Sequence, residues 1–179
     1  MRSRHLPPAS PVPNPGDPGL PPWLRSAGWR RARVLIWGAH GGAGTSALAL
    51  WLHPACDMGA MRPALYPRYP AVIASGRPLI VTCRPTAQGA QAATTAVAAI
   101  TRARGHVTVL AVAGDGWPEP AIATTRFRLL QPRVGAVVRV PFIPGLRQAD
   151  DPGAVPLPRR ARRALDQIRA AAGLAPHVR

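Results

Sequence analysis

The stretch Arg33-Val-Leu-Ile-Trp-Gly-Ala-His-Gly-Gly-Ala-Gly-Thr-Ser46 decides how this chain is read. Val34 to Trp37 is a short, uncharged apolar run, which suits a strand buried on both faces. It ends at a glycine cluster, Gly38-Ala-His-Gly-Gly-Ala-Gly44, and Thr45 and Ser46 then open a helical segment that runs to Leu52 and stops at Pro54. Strand, glycine loop and helix in that order make a place for an anion. Glycines let backbone N–H groups turn inward, and the helix N-terminus adds partial positive charge. The same residues also suit a tight turn with a hydroxyl cap. The sequence alone leaves both readings open.

Outward from this unit the pattern repeats. Pro78-Leu-Ile-Val-Thr-Cys83, His106-Val-Thr-Val-Leu-Ala-Val-Ala113 and Gly135-Ala-Val-Val-Arg-Val-Pro-Phe-Ile143 are further strand candidates. Helical patterns lie between and after them, over 86–102, 118–130 and 158–172. Strands alternating with helices predict an α/β fold with a mainly parallel sheet covered on both faces. The stretch 54–77 is rich in proline and reads as irregular surface chain. Residues 1–28 read as a disordered arm, because eight of the first 22 residues are proline, which blocks helices and strand ladders. The expected organisation is therefore an arm over 1–28, one α/β domain over 29–174 and a short tail over 175–179.

Composition narrows the chemistry. The 179 residues carry 23 basic side chains, every one of them arginine, against seven acidic ones, for a formal net charge of +16. The absence of lysine excludes Schiff-base chemistry, a P-loop lysine and the Tyr-x-x-x-Lys pair of short-chain reductases. GC-rich coding explains part of the arginine excess, but it does not explain the shortage of Asp and Glu. A charge this large draws polyanions whatever its origin. Cys56 and Cys83 are isolated, which suits a reducing, cytoplasmic setting. His53 and Cys56 form one H-x-x-C pair with no second pair to complete a zinc site. No run of 18 apolar residues exists, so no transmembrane helix is expected. Arg30-Arg31 and the apolar run after it read as strand, loop and helix rather than as a twin-arginine leader.

The loop His40-Gly-Gly-Ala-Gly-Thr-Ser46 resembles the deviant P-loop of the ParA/MinD partitioning and septum-site ATPases. Three later segments resemble the same family in the same order: Ile80–Gly89, Val109–Asp115 and Val134–Ala149. The resemblance spans roughly 33–172 and is nearest to ParA/MinD-like proteins of GC-rich bacteria with a His-Gly-Gly-Ala-Gly loop. It implies a P-loop NTPase-like three-layer sandwich. It also implies ATP or ADP with Mg²⁺ held by Gly41, Gly42, Ala43, Gly44, Thr45 and Ser46, with Ser46 on the metal and His40 at the signature-lysine position. A nucleotide-linked homodimer and a role in DNA partitioning, transfer or mobile-element maintenance are implied with it.

Departures from the family pattern bear on activity. His40 and Thr45 replace the two lysines, and 54–77 replaces the stretch that carries the Walker B strand and its Asp. Asp57 is the only carboxylate there, and it is expected in a loop. Arg62, Arg77 and Arg84 are left to supply charge. Phosphoryl transfer depends on such parts, so nucleotide binding or a structural role without hydrolysis is expected. The alternatives are a basic nucleic-acid-binding module whose glycine loop is only a turn, and an ATPase in which Arg has replaced Lys. The helix at 158–172 carries Arg159, Arg160, Arg162, Arg163 and Arg169 opposite Ala161, Leu165, Ile168 and Ala172. Such a face suits non-specific electrostatic contact with nucleic acid, or an acidic protein partner. Trp23, Trp29 and the arginines of 25–33 are a second basic candidate region.

Overall fold

The computed structural model describes residues 27–62, 72–73 and 75–175. The arm expected at 1–28, with Trp23 and Arg25, lies outside the described residues up to position 26, as does the tail from 176. The described elements, in chain order, are α1 (Ala27–Arg31), β1 (Val34–Gly38), α2 (Thr45–Trp51), β2 (Ala55–Ala60), β3 (Leu79–Cys83), α3 (Ala87–Arg102), β4 (Val109–Ala113), α4 (Ala121–Leu130), β5 (Ala136–Val140) and α5 (Arg159–Ala171). The strands form one all-parallel sheet in the order β2-β1-β3-β4-β5.

The layers follow from this order. From β1 the chain first steps outward to β2, then returns past β1 to β3 and continues to β5. Parallel connections are right-handed, so a reversal of direction places helices on opposite faces of the sheet. Two apolar clusters mark those faces. One joins Trp29 of α1, Leu35, Trp37, Val81 and Leu110 to Ala93, Val97 and Ile100 of α3 and Phe127 of α4. The other joins Val34, Ile36, Ile80, Val109 and Val138 to Leu48 and Leu52 beside α2 and Leu165 and Ile168 of α5. Every residue of β1 and β3 is buried, as an interior strand covered on both sides requires. The result is the α/β three-layer sandwich expected from the alternation of elements.

One expectation is corrected. The stretch 54–77 is not irregular throughout, because it contains β2, paired with β1 from Val34–Ala55 onward. Cys56 and Met58 are buried, while Ala55 and Asp57 are only partly so and Gly59 is exposed. This is the period-two pattern of a half-buried edge strand. The short run is flanked by proline and broken by Gly59 with positive φ, which hid it.

Leu110 is fully buried on β4, within the cluster that contains Phe127 and Ile100. Leu110→Ala is expected to lower unfolding free energy by about 2–5 kcal/mol, the usual range for a buried Leu truncation. Urea denaturation followed by circular dichroism measures it.

Candidate functional site

In open parallel sheets, ligands bind beyond the carboxyl ends of the strands where the strand order reverses. Here that point is the crevice between β1 and β3, and the glycine loop 39–44 sits on it. The loop extends the sheet before it leaves it. Ala39 N–H donates to the Thr82 carbonyl at 2.8 Å, and Met61 N–H donates to the Gly38 carbonyl at 2.7 Å. Gly42 and Gly44 then take φ of +71° and +85°, a left-handed conformation open to glycine at little cost. A side chain at Gly42 has room, so the constraint there is the backbone and not crowding.

His40 and Thr45 do different work. His40 closes the loop against β3. Its Nε2 accepts from the Arg84 backbone N–H at 3.1 Å, while Nδ1 lies 2.8 Å from the Gly41 carbonyl. Both bonds are satisfied by one neutral tautomer, with the proton on Nδ1. Thr45 points into the protein. It is buried, its Oγ1 lies 3.2 Å from Thr82 Oγ1, and a Cβ on Gly38 would come within 2.7 Å of it. Gly38 is therefore needed for Thr45 to pack. The Thr45 side chain does not reach the mouth of the loop, and what it offers there is its backbone N–H. First-turn N–H groups such as those of Thr45 and Ser46 have no intrahelical partner.

Ser46 and Asp57 meet, and the expectation that Asp57 lies in a loop is corrected. Asp57 stands on β2 beside β1. Its Oδ2 accepts from the Ser46 hydroxyl at 2.6 Å, and its Oδ1 accepts from Gly59 N–H at 2.8 Å. A hydroxyl and a carboxylate side by side at the helix start are hard oxygen donors of the kind Mg²⁺ takes.

Of the three arginines expected to supply charge in place of lysine, only Arg84 is placed at the loop by its bonds. Its Nε donates to the Gly42 carbonyl at 2.8 Å. Arg77 is turned to the opposite side, stacked 4.2 Å over the Trp29 ring and bonded to the Trp29 and Ala32 carbonyls. Arg62 is exposed just past the end of β2.

Sequence reading missed the space next to the loop. A cavity of about 190 Å³ lies between Gly44, Leu48 and Trp51 on one side and Ala113, Gly114, Phe142 and Leu146 on the other, with Arg84 and Arg147 at its rim. Arg147 lies 4.7 Å over the Phe142 ring and donates to the Asp115 carbonyl. Four chain segments build it, so no local motif announces it. Glu119 and Arg139 brace the following turn with a bidentate pair at 2.9 Å, and this pairing holds the Glu119 carboxyl below its usual range. Burial pushes the Cys56 thiol up to about 11 and the Cys83 thiol up to about 12, which disfavours the thiolate at both.

The arginines of α5 separate into two sets. Arg159, Arg160 and Arg163 are exposed. Arg162 is exposed but donates to the Leu157 carbonyl at 2.7 Å. Arg169 is only 8% exposed and donates to the Trp51 carbonyl, so it does not belong with an outward basic face. The reason is the helical period: position 169 follows Leu165 by four residues and lies beside the buried stripe.

No protein-family model, curated protein or solved structure matches this chain.

His40→Ala is expected to leave the Arg84 amide without its acceptor and to cost about 1 kcal/mol, as for loss of an ordinary hydrogen bond. Amide exchange should speed up at Arg84 and at the loop while remaining slow in β4.

Proposed function

We propose that this protein binds a nucleotide at the glycine loop without hydrolysing it at a useful rate, as a degenerate relative of the ParA/MinD-type P-loop proteins. One observation carries the reading. The loop lies at the point where the sheet order reverses, with the Ser46–Asp57 pair on one side and an apolar cavity on the other. Phosphates suit the loop N–H groups, Mg²⁺ suits the oxygens of Ser46 and Asp57, and a flat apolar body suits the cavity. These residues fit ATP or ADP with Mg²⁺ as a bound group.

They fit hydrolysis poorly. Thr45 is turned inward at the position of the gripping lysine, and His40 has both ring nitrogens engaged, one with the Gly41 carbonyl and one with the Arg84 amide. Arg84 brings positive charge, but a planar guanidinium is no substitute for a lysine threaded through the loop. A positioned cation at a transferring phosphoryl group is worth roughly 10³–10⁵ in rate. The resemblance of the sequence extends the proposal to an accessory role in DNA partitioning, transfer or mobile-element maintenance, with a nucleotide-linked homodimer as the bound state.

Calorimetric titration with ATP and ADP, with and without Mg²⁺, tests the binding. Saturable binding strengthened by Mg²⁺, and weakened at least tenfold in Gly42→Val, is expected. Equal affinity in that variant, or no binding to the wild type, refutes the reading. Phosphate release should stay near the protein-free background. Turnover on the order of one per minute that is lost in Gly44→Val shows instead that arginine has restored the activity.

A second reading rests on α5, where Arg159, Arg160 and Arg163 are exposed and form no ion pair among the described residues. We propose that this face makes non-specific contact with nucleic acid. Reversing the charge of all three should weaken DNA binding and reduce the slope of log affinity against log salt by about 0.9 for each phosphate no longer neutralised. An affinity that does not respond to salt overturns it.

A further inference from the structure

On the side of α2 away from the loop, a second and larger space opens. It is a groove of about 660 Å³ between Leu50 and Trp51 of α2, Val155 and Leu157 of the turn before α5, and Leu165 and Arg169 of α5. Its size falls within the range of about 300–1,000 Å³ common for small-molecule sites. It shares only Trp51 with the cavity beside the loop, and its chemistry is independent of the nucleotide reading.

The charges of the groove are unusual. Arg169 is nearly fully buried, and buried charges are ordinarily paired. A guanidinium has five N–H donors, and Arg169 uses one of them on the Trp51 carbonyl. The ion pair found among the described residues joins Arg139 and Glu119 on β5 and the turn before α4, so Arg169 has no carboxylate partner there. Arg162, one turn before Leu165 and Asp166, also lines the groove and among the described residues is bonded to the Leu157 carbonyl alone. Asp166 lines it too and pairs with neither arginine. Two guanidinium groups and one carboxylate leave a single net positive charge. The rest of the wall is Gly153 with the apolar side chains of Leu50, Trp51, Val155, Leu157 and Leu165.

We propose that this groove binds a small organic carboxylate with an apolar chain. The carboxylate supplies the counter-ion that Arg169 lacks, with Arg162 as a second donor. The apolar chain lies along Leu50, Val155 and Leu165. One net charge favours a monoanion over a phosphate dianion, and the planar guanidinium fork matches a carboxylate. The exposed side chain of Leu50 becomes a wall of the site rather than a stray apolar residue.

Octanoate is the probe, with octanol as the uncharged control, in calorimetric titrations of the full chain. Octanoate should saturate at one per chain, and octanol should bind at least tenfold more weakly. Arg169→Met should weaken octanoate at least tenfold, and Arg163→Met, on the outer face of α5, should leave it unchanged. Leu50→Trp adds bulk on the α2 wall of the groove and keeps the Arg169 guanidinium, and it too should weaken octanoate at least tenfold. If Arg169→Met does not fold, Arg162→Met and Leu50→Trp decide. Absence of saturable octanoate binding, equal binding of octanol, or wild-type affinity in Leu50→Trp overturns the proposal.

Discussion

The parallel pairing of β1 with a neighbour on each side is the constraint from which the rest of this architecture follows. Leu35 and Ile36 are each matched with β2 and β3 at once. A strand paired on both edges and buried on both faces cannot turn its own backbone polar groups to water, so it must be apolar and must lie inside the sheet. Because the chain leaves β1 in one direction and returns in the other, the helices divide between the two faces. The connection leaving β1 therefore lies over a crevice and not over a flat surface.

That placement brings together residues far apart in sequence. Gly38 ends β1 between Thr45 and the His40 carbonyl, with no room for a side chain. Arg84 follows β3 and crosses to the loop, and Asp57 on β2 reaches Ser46 from the other side. The loop is thus gripped from both neighbours of β1. Its glycines set the backbone path, while His40, Arg84 and Asp57 hold its position.

Much of this fold was legible because interior parallel strands leave a strong trace. Val34–Trp37 and Val109–Ala113 are unbroken apolar runs and Leu79–Cys83 is broken only by Thr82, each followed by a turn and an alanine-rich or amphipathic segment. β2 was not legible because only alternate residues are buried and an aspartate stands in its middle. Missing the strand meant misplacing Asp57, and with it the carboxylate that meets Ser46. Arg169 was misread for a related reason. Arginine marks an exposed face in most helices, yet its long apolar stem lets it lie along a buried stripe and carry its charge to a carbonyl. The cavity beside the loop and the groove behind α2 could not be read at all, since each is walled by segments separated by dozens of residues. The glycine turn of the loop was legible as composition, but the inward turn of Thr45 depends on Thr82 across the sheet.

The bonds of His40 have a kinetic meaning. Where a binding loop becomes ordered only when its ligand arrives, the ordering is subtracted from the affinity. Here an imidazole and a guanidinium from the protein itself already hold the loop, at the Arg84 amide and at the Gly42 carbonyl. Its entropy is lost during folding, when the rest of the sheet forms. Under the proposed binding, an incoming anion meets a finished surface. Encounter with such a surface is limited by diffusion and charge rather than by rearrangement, and the lifetime of the complex is left to the contacts alone.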